Sequence, residues 1–425
     1  MSIRFSRRDA ITLGGSLLIA SCAGNQSVDA IESPETWVPD SNKDRLIRAA
    51  TEKHQVPGVG IAVVDDGEFI WQGNYGVENI ETGKVVDNET LFQAASLTKP
   101  LFGYVVLRLI DDGKIDLEER LVDTFRPADL ADTEWNDQIT VQNVLMHQTG
   151  LPNWRPSEDE TALLEAAYEP GTAYSYSGEA FFWLQQVCEK KTGLGLHELV
   201  HQYLLEPAGL TDMSLLWLED RADREVYGHI VTDDGDAALS SFQYAHVHGA
   251  RLAEVANRWG RPMRTWRFQD LRDAHAEMRP HTHSAVADYP VWRFNRPGAG
   301  IINSASSLRT TPADYARFIA LVMRNEGPAA ISADLKEKML SIQVPRSETG
   351  PNRPIGLSWS LQPVDGGVAF DHWGFNLGQH ISSGLGDTSN RKGLVMMTNG
   401  SRGNAFMDEI GPVITGTNYW SYVGV

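Results

Sequence analysis

Residues 91–110 read LFQAASLTKPLFGYVVLRLI, and how this stretch is read decides the fold. Leu91 to Ser96 is short and extended in character, whereas the residues after Lys99 form an apolar run of helical length. The junction puts Ser96 at a helix N-terminus, with Lys99 one turn on and facing the same way. A serine alkoxide needs a neighbour to take its proton and a dipole that favours negative charge. A lysine three residues on can do the first, and the start of a helix supplies the second. Ser-x-x-Lys is nonetheless a short pattern, and it recurs here at Ser389-Asn390-Arg391-Lys392. That second copy falls in a polar turn between two strand-like runs, where nothing fixes the lysine beside the serine.

Outward from Ser96 the pattern changes character twice. Arg45–Lys53 suits a first helix. Gly58–Val64 and Glu68–Tyr75 are apolar β-type runs around Asp65-Asp66-Gly67, which predicts a hairpin. A mostly helical middle follows from Ser96 to about Asn325. Strand-like runs then return at Gly356–Leu361, Gly367–Asp371, Gly378–Ser383 and Gly393–Thr398, before a closing helix over Asn404–Thr415. This order predicts an α+β fold: an antiparallel sheet built from both chain termini and flanked by helices, plus an inserted, mainly helical lobe. The expected sheet lobe comprises residues 43–95 and 327–425, and the helical lobe residues 96–326 with an atypical insertion at 233–297. A cleft is expected where the lobes meet.

The chain has 425 residues, 42% apolar and 22% charged, which is an ordinary globular composition long enough for two lobes. A formal charge of −19 argues against nucleic acid as a partner. Residues 1–21 carry Arg4, Arg7 and Arg8 ahead of an apolar run too short to span a bilayer, as in a signal peptide. Ile19-Ala20-Ser21-Cys22 resembles a bacterial lipobox, so Cys22 is the expected lipidation site and residues 22–42 a linker. An exported, periplasmic, lipid-anchored protein is expected, with plain cleavage near Ser21 as the alternative. Of the two cysteines only Cys188 remains for the fold. It follows Phe181, Leu184 and Val187 at helical spacing and reads as a core thiol.

Two further motifs place themselves around the cleft. Tyr176 lies in PGTAYSYSGEAFFWLQQ, at the turn before an apolar helix, and His372-Trp373-Gly374 lies on or beside a late strand. Ser96/Lys99, Tyr176 and His372-Trp373-Gly374 occur in the order found in the serine β-lactamase and penicillin-binding-protein superfamily. The chain most resembles the branch of class C β-lactamases, D-stereospecific peptidases and family VIII esterases. VPGVGIAVVDDG, ITVQNVLMHQTGLP, PGTAYSYSG, SLRTTPADYARF and GLVMMTNG carry the same resemblance, which weakens between about Asp233 and Pro297.

The resemblance implies a serine hydrolase acting through an acyl-enzyme on Ser96, without a cofactor. Lys99 and Tyr176 would share the proton transfers, and which of them is the base stays open. The backbone N–H groups of Ser96 and Phe375 would form an oxyanion hole. His372 stands where true β-lactamases carry a lysine, with Trp373 and Gly374 lining the same strand. One departure bears on substrate. The usual Tyr-x-Asn is here Tyr176-Ser177-Gly178, and glycine cannot supply the asparagine amide. Carboxylesterase-like cleavage of a small molecule or short peptide is therefore favoured. A D-stereospecific peptidase, a weak β-lactamase, a non-catalytic penicillin-binding sensor and, through His197-Glu198-Leu199-Val200-His201, a zinc peptidase are the alternatives.

His197-Glu198-Leu199-Val200-His201 has the spacing of a zinc peptidase. No third ligand follows at a recognisable distance, and Leu199, Val200, Tyr203 and Leu204 can form a buried stripe that leaves the histidines on another face. No metal is expected. From Arg251 to Arg279 seven arginines face four acids, with Trp259 and Trp266 between them. This segment is either a structural insertion paired with the protein's own acids or a wall contacting substrate or an anionic surface. His246-Val247-His248 and His281-Thr282-His283 read as loop histidines.

Overall fold

A computed structural model describes residues 36–155, 162–241, 243–282, 302–347 and 353–417. The expected leader, Cys22, most of the linker and the part of the insertion that includes His283 lie outside the described residues.

Strands β1 (Gly58–Asp65), β2 (Glu68–Asn79) and β3 (Lys84–Val85) come from one end of the chain. Strands β4 (Phe92–Ala95), β5 (His229–Val231), β6 (Ala237–Leu239) and β7 (Leu308–Thr310) are short pieces within the middle. Strands β8 (Ser360–Val364), β9 (Gly367–Asn376), β10 (His380–Asp387) and β11 (Lys392–Thr398) come from the other end. The main sheet has seven strands in the order β3-β2-β1-β11-β10-β9-β8. Its two halves join where β1 pairs antiparallel with β11, Val59 opposite Thr398 and Val63 opposite Leu394. The antiparallel sheet from both termini is thus the observed architecture.

The period of two along each strand sends side chains to opposite faces. Val59, Ile61, Val63, Leu394 and Met396 pack beneath the terminal helices Ser41–Lys53 and Gly403–Thr415. Ala62, Val64, Val395 and Met397 face the other way, into the core shared with the helical lobe. There the helix Pro312–Arg324 covers the sheet, its N-terminus capped by Thr311, which accepts from Asp314 N at 3.2 Å. Between β1 and β2 the loop is Asp66-Gly67, both at positive φ (50° and 73°), as a two-residue hairpin requires.

Two expectations shift. The run Gly356–Leu361 is not a strand throughout, because Ser358 sits in the left-handed region (φ 65°) and pairing starts at Ser360. His246 and His248 are not loop residues: both lie in the helix Tyr244–Trp259, His248 buried and His246 stacked on Tyr227 at 4.1 Å.

In the helical lobe, Thr98–Asp111 is buried on almost every side, as a helix apolar all round must be. Gly178–Thr192 packs beside it, capped by Ser177, and holds Cys188 fully buried in the core. The insertion contributes a helical pair, Tyr244–Trp259 and Phe268–Thr282, with a small core of its own around Leu252, Val255, Met263, Trp266 and Leu271. Among the described residues, three of its arginines have acidic partners: Arg258 with Glu277, Arg261 with Asp270 at 2.7 Å, and Arg264 with Asp220 at 3.2 Å.

One buried ion pair braces the start of Gly178–Thr192. The Arg155 side chain, 6% exposed, meets Glu179, 3% exposed, at 3.0 Å and Asp129 at 2.7 Å. Removing one partner of such a pair strands the other as an uncompensated buried charge. We expect Arg155→Met to lower stability by about 3–5 kcal/mol, read from the urea midpoint, and Arg155→Met/Glu179→Leu to recover most of it. A single variant costing under about 1 kcal/mol would mean the pair is solvated and braces nothing.

Candidate active site

Ser96 occupies a turn held from three sides. β4 pairs with β7, and the register slips between Gln93 and Ala95, where Ala95 takes a positive φ of 49°. The Thr98 hydroxyl closes the turn, donating to the Ala95 carbonyl at 2.5 Å and accepting from Leu308 N at 3.0 Å. From the sheet, the Ser382 hydroxyl donates to the Ala94 carbonyl at 2.8 Å. From the covering helix, the Tyr315 hydroxyl donates to the Leu97 carbonyl at 3.1 Å. Gly374 of β9 comes so close that a Cβ there would lie 2.5 Å from Ala94 O and 2.8 Å from Ser96 N. Only glycine permits that approach. It sets the strand carrying His372 and Phe375 directly against the serine backbone.

Lys99 follows one turn later and is 1% exposed. Its Nζ donates to Ser96 Oγ at 3.3 Å and to the Ala305 carbonyl at 3.0 Å. It also lies 4.6 Å from the centroid of the Tyr176 ring. Burial pushes its pKa down to about 7, because desolvation penalises the ammonium form. An amine about half of which is neutral at pH 7, in contact with a hydroxyl, can take that hydroxyl's proton.

Tyr176 lies beside the Lys99 amine that contacts the serine, and Ser96 is near enough to offset part of the effect of burial on its hydroxyl. Burial raises the phenol's pKa above its usual value of 10, so near neutrality Tyr176 carries its proton. Its ring lies against that of His147, centroids 4.3 Å apart and planes tilted by 32°. His147 is buried, at positive φ (55°), and its Nδ1 accepts from Ser177 N at 3.1 Å while its carbonyl accepts from Ser175 N at 2.8 Å. That one residue therefore grips the backbone on both sides of Tyr176. Burial first, then Lys99 and His372, hold its pKa well below the ordinary histidine value, so the ring is uncharged.

His372 is buried on β9, its ring 6.0 Å from that of Tyr176. Its Nδ1 donates to the Trp373 carbonyl at 2.7 Å, which leaves Nε2 as an acceptor. Burial, with a smaller effect of Lys99, lowers its pKa to about 3. Phe375, two residues past Trp373, is half-exposed and paired in register with Ile381. Gly178 is the first residue of its helix, and the indole of Trp154 fills the space beside it. A Cβ at 178 would lie 2.5 Å from that ring. The structure therefore brings Ser96, Lys99, Tyr176 and His372 together. It adds Ala305, His147 and Trp154, which motif reading did not single out. His147 lay within the quoted ITVQNVLMHQTGLP but carried no assigned role.

The other candidate motifs resolve locally. Ser389 Oγ donates to Asp387 at 2.6 Å within the β10–β11 turn. In HELVH, Leu199, Val200, Tyr203 and Leu204 are buried as expected, but His197 is buried with them rather than on a polar face. The Glu198 carboxylate caps its own helix, accepting from Gly195 N at 3.3 Å. Burial, then Arg264 and His201, lowers the His197 pKa to about 4. No group of three His, Cys, Asp or Glu side chains suited to a metal occurs among the described residues.

The sequence profile of the Beta-lactamase family matches residues 44–417. Among curated relatives, Unguisins hydrolase ungD of Aspergillus violaceofuscus is 25% identical over 243 residues, covering 51% of this chain and 41% of that protein. Esterase EstB of Burkholderia gladioli is 27% identical over 204 residues, covering 41% of this chain and 51% of the relative. These matches span about two fifths to half of each relative's length. The octameric penicillin-binding protein homologue from Pyrococcus abyssi shares the fold, with a TM-score of 0.63 at 18% identity over 89% of this chain and 77% of that one. With a profile match over residues 44–417, this chain belongs to the β-lactamase family, whose members are mostly serine hydrolases.

Proposed function

We propose that the chain is a carboxylesterase-like serine hydrolase, acting through an acyl-enzyme on Ser96 upon a small molecule or short peptide. The observation that carries this reading is the contact of Lys99 Nζ with Ser96 Oγ at 3.3 Å, in surroundings that keep the amine near neutrality. In acylation, Oγ attacks the ester carbonyl and forms the new C–O bond as its proton passes to Lys99. The oxyanion is held by the backbone N–H groups of Ser96 and Phe375. The ester C–O bond then breaks, and the departing alkoxide takes the Tyr176 proton, which the Lys99 ammonium replaces. Water repeats the sequence in reverse and frees the acid. The pKa directions divide the labour: the lowered Lys99 is the base, and the raised Tyr176 is the donor.

Two features favour esters over β-lactams and peptides. A neutral His372 offers no cation to a substrate carboxylate. The Trp154 indole occupies the place of the missing asparagine amide, so the acyl group would meet an aromatic face instead of a hydrogen-bonding one.

Turnover of a short-chain p-nitrophenyl ester tests the reading. Ser96→Ala should lower kcat/KM at least about a thousandfold, and chelator should leave the wild type unchanged. Activity that survives Ser96→Ala and is lost to chelator would overturn it in favour of a metal site. The sign of the pH dependence follows from Lys99. The base must be neutral, so kcat/KM should rise with pH through an apparent pKa of about 7. A flat profile from pH 5 to 9 would remove Lys99 as the base.

Selectivity has its own check. Gly178→Asn alone should be poorly tolerated, because its Cβ meets the indole at 2.5 Å. Trp154→Gly/Gly178→Asn removes that clash, and should shift the amide-to-ester rate ratio toward amides by about tenfold or more. An unchanged ratio in the double variant would show that Trp154 does not govern substrate class.

A further inference from the structure

The Ala305 carbonyl that accepts a hydrogen bond from Lys99 is itself held by a chain of buried hydrogen bonds leading away from the cleft. Ser304 N donates to Gln185 Oε1 at 3.0 Å, and Ser304 Oγ donates to the Phe181 carbonyl at 2.8 Å. Gln185 Nε2 in turn donates to Glu189 at 2.9 Å. The second carboxylate oxygen of Glu189 accepts from Phe268 N at 2.7 Å. Phe268 is the first residue of the insertion's helix Phe268–Thr282, and its ring packs edge-on against Phe182 at 5.0 Å. Gln185 is fully buried and Glu189 is 5% exposed. An unbroken path therefore runs from the insertion to the amine beside Ser96.

We propose that Gln185 and Glu189 are positioning residues that couple the docked insertion to Lys99, by fixing the Ala305 carbonyl through Ser304. The inference rests on the reading of Ser96 and Lys99 as nucleophile and base. Its force lies in the chemistry of the two side chains. Both Glu189 oxygens accept in this arrangement. Burial raises its pKa to about 7, and above that pH it is a carboxylate that only accepts hydrogen bonds and obliges the amide nitrogen of Gln185 to face it. The amide oxygen must then face the Ser304 N–H. With the amide locked this way, the Ser304–Ala305 turn has one position, and the Lys99 amine is aimed between Ala305 O and Ser96 Oγ. Phe268 N is satisfied by the same carboxylate only while the insertion is seated on the helix Gly178–Thr192. The insertion thus acts on the base without touching substrate.

The same logic designs the test. Gln185→Glu sets two carboxylates against each other, and Glu189→Gln leaves an N–H donor facing another donor. The exchange Gln185→Glu/Glu189→Gln restores every bond. The carboxylate now at position 185 accepts from Ser304 N and from the amide now at position 189, whose oxygen accepts from Phe268 N. Gln186→Leu is the control. It deletes a neighbouring buried amide that bonds the Phe182 carbonyl at 3.0 Å and stands outside the path. Active sites are counted first with an aryl fluorophosphonate, by its mass on Ser96, and kcat and KM for the p-nitrophenyl ester are then measured per titrated site. Each single variant should lose about tenfold or more in kcat with KM little changed, since small misplacement of a catalytic group carries such penalties. The exchange should regain most of that loss, and Gln186→Leu should match the wild type. Singles with wild-type kcat per titrated site, or a loss that the exchange fails to restore, would overturn the coupling. Failure of the wild type to label at Ser96 would instead overturn the hydrolase reading beneath it.

Discussion

A primary amine kept dry beside a serine hydroxyl is the constraint on which the rest of this structure depends. In water a lysine is an ammonium ion until about pH 10 and can take no proton at neutrality. Here the amine reaches the needed state through burial, which favours its neutral form. The surroundings serve that end. Lys99 lies on a helix buried nearly all round, the Tyr176 and Phe181 rings cover its Nζ, and both nearby histidines are themselves uncharged. The antiparallel sheet supplies the other wall, and Gly374 lets β9 lie against the serine turn. Sheet lobe and helical lobe meet where neither alone could exclude water.

Much of the fold was legible because it is written in local chemistry. Asp66-Gly67 demanded a tight hairpin, and apolar runs of strand length at both ends framed a helical middle. The strand expected at Gly356–Leu361 started late because Ser358 adopts a left-handed backbone, which its residue type does not announce. Site residues divided the same way. Ser96, Lys99, Tyr176 and His372 were legible through their motif order. Ala305 acts through a backbone carbonyl, which has no residue signature. In the proposed site His147 would act through its ring and two bonds to backbone, and Gln185 through the orientation of an amide. Such roles follow from where the chain folds back and not from which side chain is present.

The HELVH segment shows the converse. Its spacing could hold a metal, yet spacing says nothing about what each group already does. Glu198 caps a helix, His197 is sunk among apolar residues, and the nearby arginines Arg264 and Arg221 would oppose a cation. Gly178 carries a related lesson. Taken alone it is a lost asparagine, whereas in the fold it is one half of a pair whose other half is Trp154, 24 residues earlier in the chain. A departure from a motif is best interpreted with whatever now fills its space.

The central claim is that chemistry passes through a covalent bond to Ser96. Rapid acid quenching during steady-state turnover of a short-chain ester, followed by intact mass and peptide mapping, addresses it directly. The account predicts a mass increase equal to the acyl group, confined to the peptide that carries Ser96, with the adduct disappearing as substrate is exhausted. Sustained turnover with no adduct on Ser96 at any quench time, or with the acyl group on another residue, would contradict it.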